Sequence, residues 1–243
     1  MENLNCSVVH LGHSTILVET PKYKMIFDYF NDGSVDSKEG PNNGVLNEGE
    51  FRTEKDIFVF ASHGHGDHYH PVIFKWRETN PNIHYILSSD IETTEEKGVH
   101  HMSPYEDLKI GDVRIKTYGS TDKGVSFLVN VEGVQIFHAG DLNWWHWKSF
   151  TQEQLQAEEV DFKREVDKLM GQNIDIAFVP VDPRLEEFYH LAGVYFAETI
   201  KPKFLIPIHF RDQFSVGKDF GRILAQSTVN VPKFKHIGQK FIF

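Results

Sequence analysis

Residues 57–70 read IFVFASHGHGDHYH, an apolar run that ends in a histidine-rich turn. The run Ile57–Phe60 has the length of a strand, and its lack of alternation is typical of a strand covered on both faces. Gly64 and Gly66 let the backbone bend tightly, so that four side chains with metal-ligating atoms converge: His63, His65, Asp67 and His68. Imidazole nitrogens and carboxylate oxygens suit zinc and also admit manganese or iron. The stretch therefore predicts a metal site at the C-terminal end of a buried strand, where open α/β sheets bind ligands.

The composition is that of a folded domain rather than of a disordered or disulfide-stabilised chain. The chain has 243 residues, of which 40% are hydrophobic, with one cysteine, fourteen histidines and a formal net charge of −10. One cysteine provides neither an internal disulfide nor a paired-cysteine metal knuckle. The excess of acidic residues argues against broad binding to nucleic-acid phosphates. We expect a single α/β domain over residues 1–243, with no composition break inside it.

Outward from the histidine-rich turn, short apolar strands alternate with helical segments, which indicates a layered α/β fold. Strands are predicted over residues 8–11, 15–19, 24–28, 57–60, 83–87, 113–118, 126–131, 134–138, 174–180, 204–208 and 240–243. The clearest helix is predicted over Thr151–Met170, where Thr151 and Gln154 form a capping-box pattern. Shorter helices are predicted near residues 71–78, 192–200 and 220–225.

A long polar stretch covers residues 29–56 and is rich in Asn, Gly, Asp and Glu. A loop of this length is unusual inside a compact domain. The stretch is therefore either a functional flap or a surface insertion.

The histidine-rich turn has the spacing of a known signature. His63-x-His65-x-Asp67-His68 after an apolar strand resembles the signature of the metallo-β-lactamase superfamily. Three further stretches resemble motifs of that family in the same order along the chain: Leu11–Thr15, Phe137–Asp141 and Pro207–Phe210. The first of them resembles a Gly-His-Ser turn of the branch that includes ascorbate-6-phosphate lactonase-like proteins and relatives of N-acyl-phosphatidylethanolamine phospholipase D. The resemblance implies a four-layer αββα sandwich with the site at one edge, between two sheets.

The resemblance also implies six metal ligands in two positions that share one carboxylate. They are His63 and His65 in the first position, Asp67, His68 and His209 in the second, and Asp141 as the bridge. Zinc is the expected metal, with manganese or iron as alternatives.

The chain departs from the family in its third motif. The family places one more histidine there, in the first metal position, but residues 118–124 read YGSTDKG and Ser120 stands where the histidine is expected. We therefore expect the chain to bind one or two metal ions. The position at His63 and His65 should either bind its ion more weakly or be completed by another ligand. The candidates for that ligand are Asp122, His138 and a water molecule.

A metal ion with one open coordination position lowers the pKa of its water to about 7, and the hydroxide then attacks a carbonyl or phosphorus. The resemblance implies such a metal-dependent hydrolase, acting on a small ester, lactone or phosphodiester, with Asp67 and Asp141 as catalytic residues. Asp67 is also a candidate for orienting the water or serving as a base.

Three alternatives stay open. One is a non-catalytic or weakly active relative with a partly degraded metal site, which Ser120 favours. Another is a ribonuclease Z-type phosphodiesterase, which the acidic charge disfavours. The third is a di-iron protein that reduces oxygen or nitric oxide, a class that typically has glutamate where His65 stands.

Weaker signals single out three residues as candidates for substrate binding. His13 lies on a strand-to-strand turn, where it either faces the site or has a structural role. Trp144 belongs to a tryptophan-rich segment that either lines a pocket or packs against the predicted helix. Arg184 follows a predicted strand and either anchors a substrate carboxylate or phosphate or pairs with neighbouring acids.

The sequence also supports predictions about the location and the partners of the protein. No run of eighteen apolar residues is present, so no membrane span is expected. The N-terminal residues lack the pattern of a signal peptide, so we expect a cytoplasmic protein. We also expect a small-molecule substrate and, because of the acidic charge, no nucleic-acid partner. The sequence leaves the oligomeric state undetermined.

Overall fold

The computed structural model describes residues 4–31, 40–95 and 97–243. The contacts divide the chain into two compact units, which we call unit 1 (Met1–Ser103 with Phe234–Phe243) and unit 2 (Pro104–Lys233). The expectation of one domain over residues 1–243 stays a prediction. Within the described residues, no helix combines the length and apolar character needed to cross a membrane.

Unit 1 contains a mixed sheet of seven strands in its described part. They are β1 (Ser7–Gly12), β2 (Thr15–Glu19), β3 (Tyr23–Phe27), β4 (Asp56–Ala61), β5 (Ile83–Ser88), β6 (Val99–Met102) and β13 (Lys240–Ile242), in the order β13-β1-β2-β3-β4-β5-β6. Strands β3 to β6 are parallel, so their C-terminal ends lie at one edge of the sheet. Apart from its first residue, β4 is buried throughout, as expected for a strand covered on both faces.

Unit 2 contains a second mixed sheet, of six strands in its described part. They are β7 (Asp107–Ile110), β8 (Val113–Tyr118), β9 (Ser126–Val131), β10 (Val134–His138), β11 (Ile176–Pro180) and β12 (Phe204–Ile208), in the order β12-β11-β10-β9-β8-β7. Strands β10, β11 and β12 are parallel. The helices are α1 (Gln152–Asp167), α2 (Leu191–Thr199) and α3 (Ser215–Ile223). Apolar side chains from all three helices share one buried cluster with the sheet.

Most predicted elements are present, with local differences. The capping box at Thr151 is confirmed and starts α1. The segment Pro71–Glu78 is a 3-10 helix rather than an α-helix, and α3 begins five residues before its prediction. Strands β6 and β7 were not predicted, because their polar and histidine side chains obscure the apolar pattern of these half-exposed strands.

The described residues of the polar stretch 29–56 form short turns. Its described residues include 3-10 helices at Pro41–Asn43 and Glu48–Phe51. Tyr29 and Phe51 are buried in the core of unit 1, and the Tyr29 hydroxyl accepts a hydrogen bond from the Leu46 backbone at 3.0 Å. Tyr29, at the start of the stretch, and Phe51, near its end, therefore belong to the core. Residues 32–39, on which the choice between flap and insertion depends, lie outside the described residues.

The core of unit 1 contains a fully buried histidine, His10, on β1 beside Phe234. Burial lowers the pKa of His10 from 6.5 to about 4. The unfolded chain therefore binds a proton at His10 between pH 6.5 and 4 that the folded chain does not. We expect the free energy of unfolding to fall by about 3 kcal/mol across this window as the pH drops. Urea denaturation of chelator-treated protein at a series of pH values measures this change in the free energy of unfolding.

The variant His10→Phe keeps the ring beside Phe234 and removes the titrating group. We expect it to flatten this part of the pH profile, whereas His236→Phe, at an exposed position, should leave the profile unchanged. An unchanged slope in His10→Phe would contradict the assignment.

A close approach between α2 and α3 depends on Gly193. A Cβ atom there would lie 2.5 Å from the ring of Phe220, which is fully buried. We expect Gly193→Ala to lower the free energy of unfolding by ~1–3 kcal/mol through overpacking. Gly217→Ala is the matched control, because a Cβ in α3 at this position meets no atom within 4 Å. Better helix propensity should make that variant up to ~1 kcal/mol more stable. Equal denaturation midpoints for the two variants would contradict the packing argument.

Candidate metal centre

The histidine-rich turn of unit 1 follows β4 directly and brings its imidazoles together. The rings of His63 and His65 lie 4.6 Å apart, and those of His63 and His68 lie 4.2 Å apart. His63 and His68 are fully buried, while His65 and Asp67 are partly exposed. The Gly64 backbone donates a hydrogen bond to Asp90, which holds the start of the turn. The three imidazoles of the turn thus lie close together within unit 1, and their role as metal ligands stays a prediction.

A buried carboxylate, Asp28, orients the turn from the neighbouring parallel strand. It lies just after β3 and accepts hydrogen bonds from the Ser62 backbone at 2.7 Å, the Ser62 hydroxyl at 2.8 Å and His68 Nδ1 at 2.7 Å. Because Asp28 accepts, His68 carries its proton on Nδ1, which leaves the lone pair on Nε2. This is the tautomer that a carboxylate imposes on a metal-ligating histidine.

Ser62 extends the same control to His63. Its single hydroxyl proton points to Asp28, so its oxygen accepts from His63 Nδ1, 3.0 Å away. His63 therefore also presents the lone pair of Nε2. One buried aspartate sets the tautomers of two histidines, one directly and one through a hydroxyl group.

His13 lies beside these residues, in the turn between β1 and β2. It is buried with a positive φ of 47°, its Nε2 lies 3.3 Å from Asp67 Oδ2, and its ring lies 5.4 Å from that of His68. Ligand atoms of His13, Asp67 and His68 lie within 4.8 Å of one another. The interaction with His13 is the largest cause that holds the pKa of Asp67 well below its usual value. Of the two alternatives that the sequence left open, His13 therefore lies next to this donor set, and its role in substrate binding stays a prediction.

The second donor set lies in unit 2, at the C-terminal edge of three parallel strands. Asp141 follows β10, Asp182 follows β11 and His209 follows β12. All three side chains are buried. His209 Nε2 lies 3.2 Å from Asp141 Oδ1, and His209 Nδ1 lies 3.0 Å from Asp182 Oδ2. Asp182 orients His209 in the way that Asp28 orients His68.

Arg184 engages the same carboxylate. Its guanidinium group forms a two-pronged ion pair with Asp182 at 2.5–3.0 Å. Burial alone would raise the pKa of Asp182, but the hydrogen bonds from His209 and Arg184 outweigh it and lower the pKa to about 2. Arg184 thus supports Asp182, and its role as an anchor for substrate stays a prediction.

Two neighbouring tryptophans in the segment after Asp141 contact different parts of unit 2. Trp144 packs against helix α1, with its ring 6.1 Å from that of Phe162 and 4.7 Å from the Lys163 amine. Trp145 instead lies 5.8 Å from the ring of His209 and stacks on Trp147. Trp144 has the packing role that the sequence left open as its alternative, and Trp145 is the tryptophan that contacts the donor set of unit 2.

The histidine-orienting roles of three residues were not predicted from the sequence: Asp28, Ser62 and Asp182. Asp28 and Asp182 each stand just after an apolar strand that is parallel to a ligand-bearing strand. A carboxylate at such a position is a signal that could have identified them. Ser62 precedes the signature and offered no comparable signal.

Parallel strands whose ends carry imidazole and carboxylate donors define an α/β protein able to bind metal ions. The sequence profile of the family described as "Beta-lactamase superfamily domain" matches residues 7–209. The chain belongs to this superfamily and has the metallo-β-lactamase fold, which confirms the fold expected from the histidine-rich turn.

Curated relatives carry the name "UPF0173 metal-dependent hydrolase". The protein from Carboxydothermus hydrogenoformans is 22% identical over 228 residues, covering 88% of this chain and 88% of its own. The protein from Pyrococcus furiosus is 27% identical over 225 residues, covering 87% of this chain and 88% of its own.

Solved structures share the fold. Igni18, a novel metallo hydrolase from Ignicoccus hospitalis, has a TM-score of 0.65 at 15% identity, covering 98% of each chain. CmlA, a diiron beta-hydroxylase from Streptomyces venezuelae, has a TM-score of 0.59 at 9% identity, covering 98% of this chain and 54% of its own. At these identities the likeness concerns the fold alone.

Proposed function

We propose that this chain, a metal-dependent hydrolase of the metallo-β-lactamase superfamily, cleaves a small ester, lactone or phosphodiester. Six residues would hold the metal: His63, His65, Asp67, His68, Asp141 and His209. The superfamily match runs from residue 7 to residue 209 and so includes every one of them. The match therefore supports their assignment as the ligands that the superfamily's motifs imply.

The observation that carries the proposal is the pair His209 and Asp141. Because His209 donates from Nδ1 to Asp182, a neutral imidazole presents a lone pair to Asp141 Oδ1 at 3.2 Å. Two acceptor atoms at this distance repel one another unless a cation or a proton lies between them. A metal ion bound by both atoms would make the arrangement favourable. The donor chemistry of imidazole and carboxylate groups fits zinc, and also manganese or iron.

When bound, the metal would polarise the carbonyl or phosphoryl oxygen of the substrate and lower the pKa of a water molecule. The chain's own residues position these partners. His13 holds the carboxylate of Asp67 in one orientation, which suits a residue that ligates metal and orients the attacking water. Asp28 and Asp182 keep His68 and His209 in the tautomer that exposes Nε2.

The finer placement within the superfamily is part of the proposal. We propose that the chain is related to the lactonase-like branch, because His13 of the Gly-His-Ser turn lies against Asp67 of the signature. On this proposal, the Gly-His-Ser turn holds the metal ligands in position.

Metal analysis followed by a substrate panel tests the function. We expect the purified chain to contain one or two zinc, manganese or iron ions by elemental analysis. We expect hydrolysis of at least one class among lactones, esters and phosphodiesters, loss of that activity with chelator, and recovery with metal. A chain that binds no metal would overturn the proposal.

A second candidate is a non-catalytic relative, which the serine at position 120 favours. In that case the chain binds metal but hydrolyses none of the three substrate classes after metal is restored. The same experiment therefore separates the two candidates.

A further inference from the structure

We propose that Asp122 is a metal ligand that takes the place of the histidine missing at Ser120. The inference rests on the proposed function, because it assigns one more ligand to that metal centre. It concerns the turn between β8 and β9, where the family's third motif supplies a histidine and this chain has the sequence Ser120-Thr121-Asp122.

Hydrogen bonds hold this turn against the segment that carries Asp141. The Thr121 hydroxyl donates to the Asn143 carbonyl at 2.6 Å and accepts from the Asn143 backbone N–H at 2.9 Å. The Ser120 hydroxyl accepts from the Asp122 backbone N–H at 3.2 Å. Ser120 thus shapes the turn, while Thr121 ties it to the chain two residues beyond Asp141.

This anchoring places Asp122 next to the bridging aspartate. Ligand oxygens of Asp122 and Asp141 lie within 4.8 Å of one another. On its other side, Asp141 lies 3.2 Å from Nε2 of His209, which is almost fully buried. Asp141 therefore has the carboxylate of Asp122 on one side and the imidazole of His209 on the other. The two negative charges of the carboxylates repel one another unless a cation is bound.

The other candidate side chains from the sequence are less suited. Nδ1 of His138 accepts a hydrogen bond from the Gly140 backbone at 3.1 Å, and the side chain is fully buried on β10. The neutral hydroxyl of Ser120 is a poor ligand for zinc and is used within the turn. Asp122 combines a suitable donor atom with a position beside Asp141.

A carboxylate in place of an imidazole changes which metal the site prefers. Oxygen donors suit manganese and other hard ions, whereas imidazole suits zinc, copper and iron. We therefore expect Asp122 to shift the preference of its metal position from zinc towards manganese. Restoring a nitrogen donor should reverse the shift.

Metal titrations of metal-free protein test the assignment. The probes are Zn²⁺, Mn²⁺ and Co²⁺, measured by calorimetry, elemental analysis after dialysis, and Co²⁺ absorption. We expect Asp122→Ala and Asp122→Asn to lose one ion per chain or to bind it at least tenfold more weakly, with a changed Co²⁺ spectrum. Asp122→His should still bind this ion, and it should raise the ratio of the Zn²⁺ affinity to the Mn²⁺ affinity at least tenfold. Asp112→Asn, at an exposed position in the β7–β8 turn, should behave as the wild type.

The outcomes separate this inference from the function on which it rests. Wild-type stoichiometry, affinity and spectrum in folded Asp122→Ala and Asp122→Asn would overturn the role of Asp122 and leave the proposed function intact. A wild-type chain that binds none of the three metals would overturn both. Because Asp122 is exposed on a turn, we expect thermal unfolding of the metal-free variants to match that of the wild type, which separates loss of a ligand from loss of the fold.

Discussion

Replacing Asp141 with alanine should lower kcat/KM for the substrate identified by the panel by ~10³-fold or more. Such a loss corresponds to about 4 kcal/mol of transition-state stabilisation. Asp141 is proposed to bridge the two metal positions, so its removal takes a charged ligand from both. It also leaves His209 Nε2 without the carboxylate that lies 3.2 Å away. Steady-state kinetics and the metal content per chain measure the effect.

The fold should survive this substitution, because the Asp141 side chain follows a strand end and is not part of the apolar cluster of unit 2. Far-UV circular dichroism and the denaturation midpoint check this. Asp219→Ala, at a half-exposed position paired with Arg222 on α3, is the matched control and should keep full activity. Excess metal should fail to rescue Asp141→Ala. Wild-type turnover in Asp141→Ala would contradict its assignment as a bridging ligand.

Replacing Asp28 with asparagine should weaken metal binding by ~10–100-fold, although Asp28 is not expected to touch the metal. One carboxylate oxygen accepts from the Ser62 backbone, and the other accepts from the Ser62 hydroxyl and His68 Nδ1. An asparagine amide turns one of these acceptors into a donor. In either orientation it faces at least one N–H or O–H group in a fully buried site. The free energy of unfolding should therefore fall by ~1–3 kcal/mol for each group left unsatisfied.

The control separates loss of metal affinity from general destabilisation. Asp175 is a buried carboxylate of unit 2 that accepts from the Gln135 backbone and pairs with Lys203, apart from the proposed ligands. Asp175→Asn should lower stability but leave metal affinity unchanged. Saturating metal should restore most activity to Asp28→Asn, because its ligands are intact, and this distinguishes it from Asp141→Ala. Wild-type metal affinity in folded Asp28→Asn would contradict the orienting role.

The sequence predicted those parts of the candidate site that depend on local order along the chain. The turn 63–68 was predictable because its donors lie within six residues and follow one strongly apolar strand. Asp141 and His209 were predictable through the family's motif order. The strands β2, β10 and β12 were predicted with the bounds that the structure has, because their apolar patterns are short, regular and bounded by turn residues.

The supporting residues depended on contacts far apart in sequence. Asp28 is 34 residues from Ser62 and 40 from His68, and Asp182 is 27 from His209. Hydrogen bonding between parallel neighbours aligns the ends of their strands and makes these residues adjacent. The packing of Trp144 likewise depends on its contacts with helix α1, which the tertiary structure brings about.

By itself, the sequence determined the superfamily, the α/β class and the candidate donors of the histidine-rich turn, because a buried strand followed by a turn of possible metal ligands is encoded in a few consecutive residues. The tertiary structure alone decided which buried carboxylates orient the histidines and which acid lies beside Asp141. Those relations arise from strand pairing and turn anchoring, which bring distant residues within hydrogen-bonding distance. The serine at position 120, which looked like the loss of a ligand, lies in a turn that carries an aspartate to the neighbourhood of Asp141.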